Sequence, residues 1–180
     1  MGTDKALMEI EGQPLLRRVA RRLAEVADPV LLAPGPDTGR LAGVGGLEGL
    51  PMVADAAAGA GPLGAIVAGL RASPHRVLAV VAVDMPDLCP ALLRAMGLGW
   101  RPGVDVRVPV TAAGPQPLHA IWARGALPAL EGALREGRLA LREALAGLRI
   151  ETWPEGRWRS IDPAGAFARN LNTPEDLLAH

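Results

Sequence analysis

The chain has 180 residues, which is enough for one domain with a substantial core. Its composition, with 49% hydrophobic and 21% charged residues, is typical of a globular protein. Its formal net charge of +0 does not indicate binding of a polyanion such as nucleic acid. No apolar run approaches the roughly 20 residues of a membrane helix, and the start of the chain lacks the pattern of a signal peptide. The single cysteine, Cys89, excludes an internal disulfide. We therefore expect a cytoplasmic protein.

The first half of the chain alternates helices with short apolar strands. Pro14 stands at the first turn of an amphipathic helix, followed at helical spacing by Leu15, Val19 and Leu23. The next predicted elements are short strands over residues 29–33 and 52–55, a helix over 62–72, a strand over 77–83 and a helix from 90 to about 98. Strands over 105–110 and 118–123 follow, then short helices near 127–135 and 139–146 and a strand over 149–153. A final helix is capped by Thr173 and Pro174.

This alternation predicts a three-layer α/β fold with a mostly parallel sheet, in one domain over residues 1–180. Residues 77–83 are an unbroken apolar run, which indicates a strand buried on both faces. His119 lies in an alternating strand, so we expect it to be a packed histidine rather than a catalytic base.

Two carboxylates follow predicted strands, and ligands in open α/β sheets bind beyond the carboxyl ends of the strands. Asp84 follows the strand over residues 77–83 and is held by the turn at Pro86. It is suited to holding Mg²⁺ on a substrate phosphate, although a turn-capping role fits the sequence equally well. Asp55 ends the preceding strand, where a cap is the simpler interpretation.

Three further polar residues are unusual for this composition. Lys5 is the only lysine, and Asn170 and Asn172 are the only asparagines. A lysine ahead of the first helix can neutralise phosphate charge in a transition state, or it can be a solvated terminal residue. The two asparagines share one face of an extended segment, where they can bind a polar ligand or cap the helix that follows.

Taken in order, several motifs resemble those of one enzyme family, the molybdenum cofactor guanylyltransferases. Met1-Gly2-Thr3-Asp4-Lys5 resembles the end of a nucleotidyltransferase signature, which Gly12-Gln13-Pro14-Leu15-Leu16 continues. The other matching motifs are Gly61-Pro62-Leu63-Gly64, Val83-Asp84-Met85-Pro86-Asp87-Leu88, Gln116-Pro117-Leu118-His119-Ala120 and Asn170-Leu171-Asn172-Thr173-Pro174-Glu175-Asp176-Leu177. The resemblance covers nearly the whole chain, and Asp-Lys and the closing asparagine motif are its most specific parts.

The resemblance implies transfer of GMP from GTP to the terminal phosphate of molybdopterin, with Mg²⁺ as cofactor. In that reaction Lys5 would stabilise charge on the nucleotide phosphates, Asp84 would ligate Mg²⁺, and Asp55 would contact the nucleotide. Gln116, Asn170 and Asn172 would lie on the pterin side. The implied partners are GTP, molybdopterin, and proteins that deliver molybdopterin or act as chaperones for molybdoenzymes, with neither nucleic acid nor membrane among them.

The chain departs from the family pattern in two places. The family has a first strand and a glycine-rich, phosphate-binding loop ahead of the Met-Gly, so we expect an upstream reading frame to encode them. Without that strand, we expect a gap or an exposed sheet edge beside residues 77–83, and weak GTP binding by the 180-residue form. Ala33 also stands where the family often has an asparagine that contacts the base. Two other hypotheses stay open: a non-catalytic molybdopterin-binding module, and a relative of the cytidylyltransferases.

Overall fold

The computed structural model describes residues 5–35, 37–41 and 44–171. Its α-helices are α1 (Leu15–Leu23), α2 (Gly61–Ala72), α3 (Pro90–Gly97), α4 (Leu127–Arg135), α5 (Leu141–Leu145) and α6 (Glu155–Trp158). Its strands are β1 (Glu9–Ile10), β2 (Gln13–Pro14), β3 (Val77–Val81), β4 (Val106–Thr111), β5 (Gly114–Pro115), β6 (His119–Ala123) and β7 (Ile150–Trp153). Within these described ranges, no helix is both long and apolar enough to cross a bilayer. The helix expected from Thr173 lies outside them.

The main sheet has the strand order β3-β6-β4, with β7 and the short β5 also paired to β4. β6 is antiparallel to both β3 and β4, whereas β7 is parallel to β4. It follows that β3, β4 and β7 all run in one direction and β6 runs against them. The expected α/β class is confirmed, but the sheet is mixed rather than mostly parallel: β4–β7 is its parallel pairing among the described strands, and β5 and β6 are reversed because the short β4–β5 hairpin turns the chain back.

Helices cover both faces of this sheet, as the alternation of side chains along β3 shows. Leu78 and Val80 pack into the cluster formed by α2, α4 and α5. Val77, Ala79 and Val81 pack into a second cluster, which α1 and α3 contribute to. Since successive side chains of a strand point to opposite faces, α1 and α2 lie on opposite sides of the sheet. The expected three-layer architecture is confirmed.

The strands expected over residues 29–33 and 52–55 are much shorter than predicted. They are reduced to one parallel bridge between Leu32 and Met52. Leu32 N donates to Pro51 O at 2.9 Å, and Val53 N donates to Leu32 O at 2.8 Å. Two strands with no further neighbour are marginal, because pairing alone stabilises them weakly. The pair has no third strand among the described residues to extend its ladder.

Both faces of β3 are packed by helices, as expected, but the expected full burial is wrong, because every residue of β3 is only half-buried. Among the described residues β3 pairs with β6 alone, and its other edge borders a cavity of about 860 Å³. We call this cavity the strand slot: it lies between β3 and residues 30–33, with α1 and α2 over its two faces. The gap expected beside this strand is therefore confirmed.

Candidate active site

The carboxyl end of β3 positions Asp84. Ala82 N donates to Leu118 O at 2.9 Å, so the chain stays paired to the entrance of β6 beyond the last residue of β3. Met85 N then donates to Ala82 O at 3.2 Å, which closes a turn around Asp84. The half-buried Asp84 therefore lies at the sheet edge where ligands of open α/β sheets bind.

A backbone hydrogen bond joins the closing asparagine motif to the same turn. Leu171 N donates to Asp84 O at 2.9 Å, and the Leu171 side chain is buried with Ile10 and Leu15. Asn170, the residue before it, is exposed. The structure thus brings Asp84 and Asn170 together although they are 86 positions apart in the sequence, while Asn172 lies outside the described residues.

Gln116 lies at the turn that enters β6, beside the exit from β3. Its side-chain Nε2 donates to Thr111 Oγ1 at 3.0 Å and to Gly114 O at 3.1 Å, and its backbone N donates to Pro109 O at 2.9 Å. These bonds fix the β4–β5 hairpin. The amide nitrogen of Gln116 therefore orders the turn, and its place on the pterin side stays a prediction.

Asp55 borders the strand slot, and the turn that Lys5 begins lies near the carboxyl end of β3. Asp55 borders the slot where the turn before α2 approaches the helix, and Gly64 allows this approach, because a Cβ there would lie 2.9 Å from Ala60 Cβ and 3.5 Å from Asp55 Cβ. Lys5 begins a 3-10 turn, Lys5–Leu7, and only its backbone is described. Ala6 packs in a cluster that Val83 also contacts, so the turn lies near the carboxyl end of β3.

An ionic cluster that the sequence interpretation missed lies beside Asn170. Asp87 is 3.7 Å from Arg18 and 3.9 Å from Arg169, so it links α1 to the closing segment. Arg169, Arg22 and Asp87 border a polar cavity of about 380 Å³. The spacing of Arg18 and Arg22, four residues apart on one helix, was a signal that they share a face.

His119 is a packed histidine, as expected. Its side chain is fully buried, its Nε2 accepts a hydrogen bond from Cys89 N at 3.2 Å, and its ring centroid lies 4.8 Å from that of Phe167. Burial disfavours the charged imidazolium and lowers the pKa of His119 to about 4. Near neutral pH the ring is therefore uncharged, and it supports the start of α3 by accepting the Cys89 N–H.

This buried histidine predicts a loss of stability in mild acid. The folded-state pKa of about 4 lies below the ordinary value of 6.5, so the unfolded chain binds more protons between these two pH values. The free energy of unfolding should fall as the pH drops through this window, by up to about 3 kcal/mol from His119. Urea denaturation at several pH values measures the slope. His119→Gln keeps an acceptor for Cys89 N but does not titrate there, so an unchanged slope in that variant would contradict the prediction.

Comparison with known proteins identifies the family. Residues 1–152 match the family model described as the MobA-like NTP transferase domain. The chain belongs to this family. A probable molybdenum cofactor guanylyltransferase of Pelotomaculum thermopropionicum is 35% identical over 99% of this chain and 84% of its own length. A probable molybdenum cofactor guanylyltransferase of Chloroflexus aggregans is 33% identical over 98% of this chain and 85% of its own length.

Solved structures agree with the family assignment. Molybdopterin-guanine dinucleotide biosynthesis protein A of Archaeoglobus fulgidus superposes with a TM-score of 0.83 and 25% identity, covering 99% of this chain and 89% of that chain. The 2-C-methyl-D-erythritol 4-phosphate cytidylyltransferase of Thermus thermophilus shares the fold, with a TM-score of 0.64, 17% identity, and coverage of 97% and 91%. This MobA-like chain is a nucleotidyltransferase of molybdenum cofactor biosynthesis with a Rossmann-like fold.

Proposed function

We propose that this MobA-like chain transfers GMP from GTP to the terminal phosphate of molybdopterin and releases pyrophosphate. The observation that carries the proposal is the hydrogen bond from Leu171 N to Asp84 O, 2.9 Å long. It joins the two motifs of the resemblance that would hold different substrates, the strand-end carboxylate and the asparagine segment. The related molybdenum cofactor guanylyltransferases indicate the substrate class.

The reaction is a substitution at phosphorus. An oxygen of the molybdopterin phosphate forms a bond to the α-phosphorus of GTP while the bond from that phosphorus to the bridging oxygen breaks, and pyrophosphate departs with the bonding electrons. Such transfers need positioned substrates and stabilised charge more than covalent help from the protein. We assign Lys5 to the nucleotide phosphates, Asp55 to the nucleotide, and Asp84 to the metal beside them.

The donor at Asp84 suits Mg²⁺. Mg²⁺ at phosphate-transfer sites is normally held by one or two carboxylates together with substrate phosphates, and a half-buried carboxylate at a strand end is a hard oxygen donor of that kind. Among the described residues, no three His, Cys, Asp or Glu side chains group as a protein-only metal site. When bound, the metal would neutralise phosphate charge. A fold relative from Mycobacterium tuberculosis, with a TM-score of 0.58 and 16% identity, is described as a complex with manganese.

We assign the pterin to the other part of the same sheet edge, beyond the metal and the nucleotide. Asn170 is exposed beside Asp84, and the Gln116 turn lies at the entrance of the adjacent β6. We place the pterin between these two, with Asn172 completing the motif. Molybdopterin would then arrive from a delivery protein in the cytoplasm, and the product would pass to a molybdoenzyme or its chaperone.

CTP is a second candidate for the nucleotide substrate, because Ala33 has no side-chain hydrogen-bonding group at the position where the resemblance places an asparagine. Ala33 is exposed and borders the strand slot at the carboxyl end of its segment. A cytidylyltransferase with the same fold would use CTP, and a binding module without catalysis would use neither nucleotide.

A pyrophosphate-release assay separates these functions. Purified protein with Mg²⁺ and molybdopterin should release pyrophosphate with GTP, and the rate with CTP should be at least about tenfold lower, as a difference of about 1.4 kcal/mol in base recognition implies. Reactions without molybdopterin correct for hydrolysis. Preference for CTP would replace the proposal with the cytidylyltransferase. Molybdopterin binding without turnover of either nucleotide would favour the binding module.

A further inference from the structure

The polar cavity beside Asn170 is separate from the strand slot, and the two share no described residue. Its volume is about 380 Å³, which lies in the usual range for small-molecule sites. Neither Asp55 nor Asp84 borders it. The described residues that do are Arg22 from α1, Asp87, Cys89 just before α3, and Asp162, Ala166 and Arg169 from the segment that leads to the asparagine motif.

This cavity lies where the pterin side of the candidate site is expected. Arg169 directly precedes the exposed Asn170 in the chain. On the other side of the cavity, Cys89 N donates to His119 Nε2 at 3.2 Å, and His119 N donates to Gln116 O at 3.1 Å. The cavity is thus bordered by the closing segment and by the residue that contacts the entrance of β6, the two features between which we place the pterin.

Asp162 is a buried carboxylate that keeps one oxygen for a ligand. The residue is 8% exposed, and its Oδ2 accepts a hydrogen bond from Phe167 N at 2.9 Å. Within the part of the chain that the structure describes, no group donates a hydrogen bond to Oδ1. Burial of an acceptor without a donor costs free energy, so a ligand that brings an N–H group to Oδ1 would be favoured.

Arg22 supplies the complementary donor. It is half-buried, and its guanidinium forms no ion pair or hydrogen bond with any other described residue. The charge of Arg169 is partly offset, because this residue lies 3.9 Å from Asp87. A guanidinium donates hydrogen bonds and accepts none, so Arg22 suits a carbonyl oxygen. The cavity therefore offers a carboxylate acceptor and a guanidinium donor to the same ligand.

The balance of charge around the cavity favours a neutral ring over an ion. Two arginines and two aspartates border it, so a phosphate would meet both carboxylates and a cation would meet both guanidinium groups. A neutral ring with N–H donors beside a carbonyl oxygen pairs with both kinds of side chain. Cys89 and Ala166 are small and half-buried, which leaves room for a flat ring to pack against them.

We propose that the polar cavity binds the pyrimidine ring of the pterin, with Asp162 accepting from the ring N–H and the 2-amino group and Arg22 donating to the 4-oxo oxygen. The inference rests on the proposed function, because it assigns specificity-determining residues to that substrate. Asp87 borders the cavity three positions after Asp84, which is at most about 11 Å along an extended chain. A molecule with a pterin at one end and a phosphate at the other can therefore reach from the cavity to Asp84.

Two pteridines that differ in one group test this proposal without any need for turnover. Pterin carries the 2-amino and 4-oxo groups, whereas lumazine has an oxygen in place of the 2-amino group. The 180-residue protein is titrated against each compound, and binding is followed by the fluorescence of the pteridine. We expect pterin to bind roughly tenfold more tightly than lumazine or better, because the 2-oxo oxygen of lumazine would face the Asp162 carboxylate.

Three variants assign the preference to individual side chains, with Tm measured for each. Asp162→Asn keeps an oxygen that can accept from Phe167 N, but its neutral amide should reduce the preference for pterin to about threefold or less. Arg22→Gln should weaken binding of both pteridines by roughly tenfold and keep their ratio, because both carry the 4-oxo group. Arg21→Gln, at the exposed neighbouring position of α1, is the matched control and should change neither affinity.

Equal affinity of the parent protein for pterin and lumazine, or no measurable binding of pterin, would overturn the proposal. A preference for pterin that survives Asp162→Asn would overturn it too. GTP carries a similar amino-oxo ring, and we expect its Kd to be the same for Asp162→Asn and the parent. Weaker GTP binding in that variant, with pterin binding unaltered, would assign the cavity to guanine instead.

The pteridine titrations and the pyrophosphate-release assay can fail separately. A protein that prefers pterin over lumazine but releases no pyrophosphate would contradict the transferase function and leave the cavity assignment in place. GMP transfer by a protein that does not distinguish the two pteridines would contradict the cavity assignment alone.

Discussion

Asp84→Asn should lower Mg²⁺-dependent turnover by roughly a thousandfold while the protein stays folded. A bound metal that stabilises transition-state charge by about 4 kcal/mol corresponds to that factor, and asparagine loses the charge that holds the metal. The capping role that the sequence also allows would survive, because asparagine caps turns as well as aspartate does. Pyrophosphate release measured across a Mg²⁺ titration, with Tm measured in parallel, gives both quantities.

A surface carboxylate at the other end of the strands provides the control. Asp28 is exposed and lies before the strand segments begin, so Asp28→Asn removes one negative charge far from the candidate site. That variant should keep its activity and its Mg²⁺ dependence. If Asp84→Asn keeps them too, Asp84 is a structural cap, and the metal must be sought at another carboxylate.

Local signals predicted most of the fold because the relevant physics is local. α4 occupies residues 127–135 as expected, with Pro128 in its first turn and an apolar stripe that includes Leu130. The strand over residues 149–153 is observed as β7. The strands expected over residues 105–110 and 118–123 are observed as β4 and β6. In each case the propensity, the apolar period and the turn residues agree with one another.

The strand predictions that the structure does not fully match concern strands whose stability depends on a neighbouring strand. The segment around Leu32 has a strand-like sequence, yet it forms one bridge because its other edge faces the slot. β3 is the clearest strand in the sequence and is still only half-buried for the same reason. Burial belongs to the assembled sheet, so an apolar run of residues cannot report it alone.

Ionic contacts between residues far apart in the chain could not be predicted from the sequence either. Arg107 lies in β4 as a buried arginine, and its guanidinium donates to Leu98 O at 2.9 Å and to Glu151 at 3.0 Å. Hydrogen bonds from Arg149 likewise hold the pKa of Asp105 below its ordinary value. These pairs join residues 44 apart in sequence, and no local pattern marks them. The link between Asp84 and Leu171 was missed for the same reason, although both motifs were recognised.

Lys5→Ala should lower kcat by roughly a hundredfold and change Tm little. The backbone of Lys5 begins the turn whose Ala6 packs near the carboxyl end of β3, on the side where we place the nucleotide phosphates. One charged contact made mainly in the transition state is worth about 3 kcal/mol, which corresponds to that loss of rate. A solvated terminal lysine would contribute almost nothing to turnover or stability.

The split between kcat and the KM for GTP distinguishes the role of Lys5 from general attraction of the nucleotide. Lys5→Arg keeps the charge with a different geometry and should recover part of kcat. Arg21→Ala, at an exposed position of α1, removes a positive charge elsewhere and should leave both constants near those of the parent. A rise in KM alone would mean that Lys5 binds ground state and transition state equally. GMP transfer at the parental rate in Lys5→Ala would remove Lys5 from the reaction and leave stabilisation of the triphosphate to backbone N–H groups.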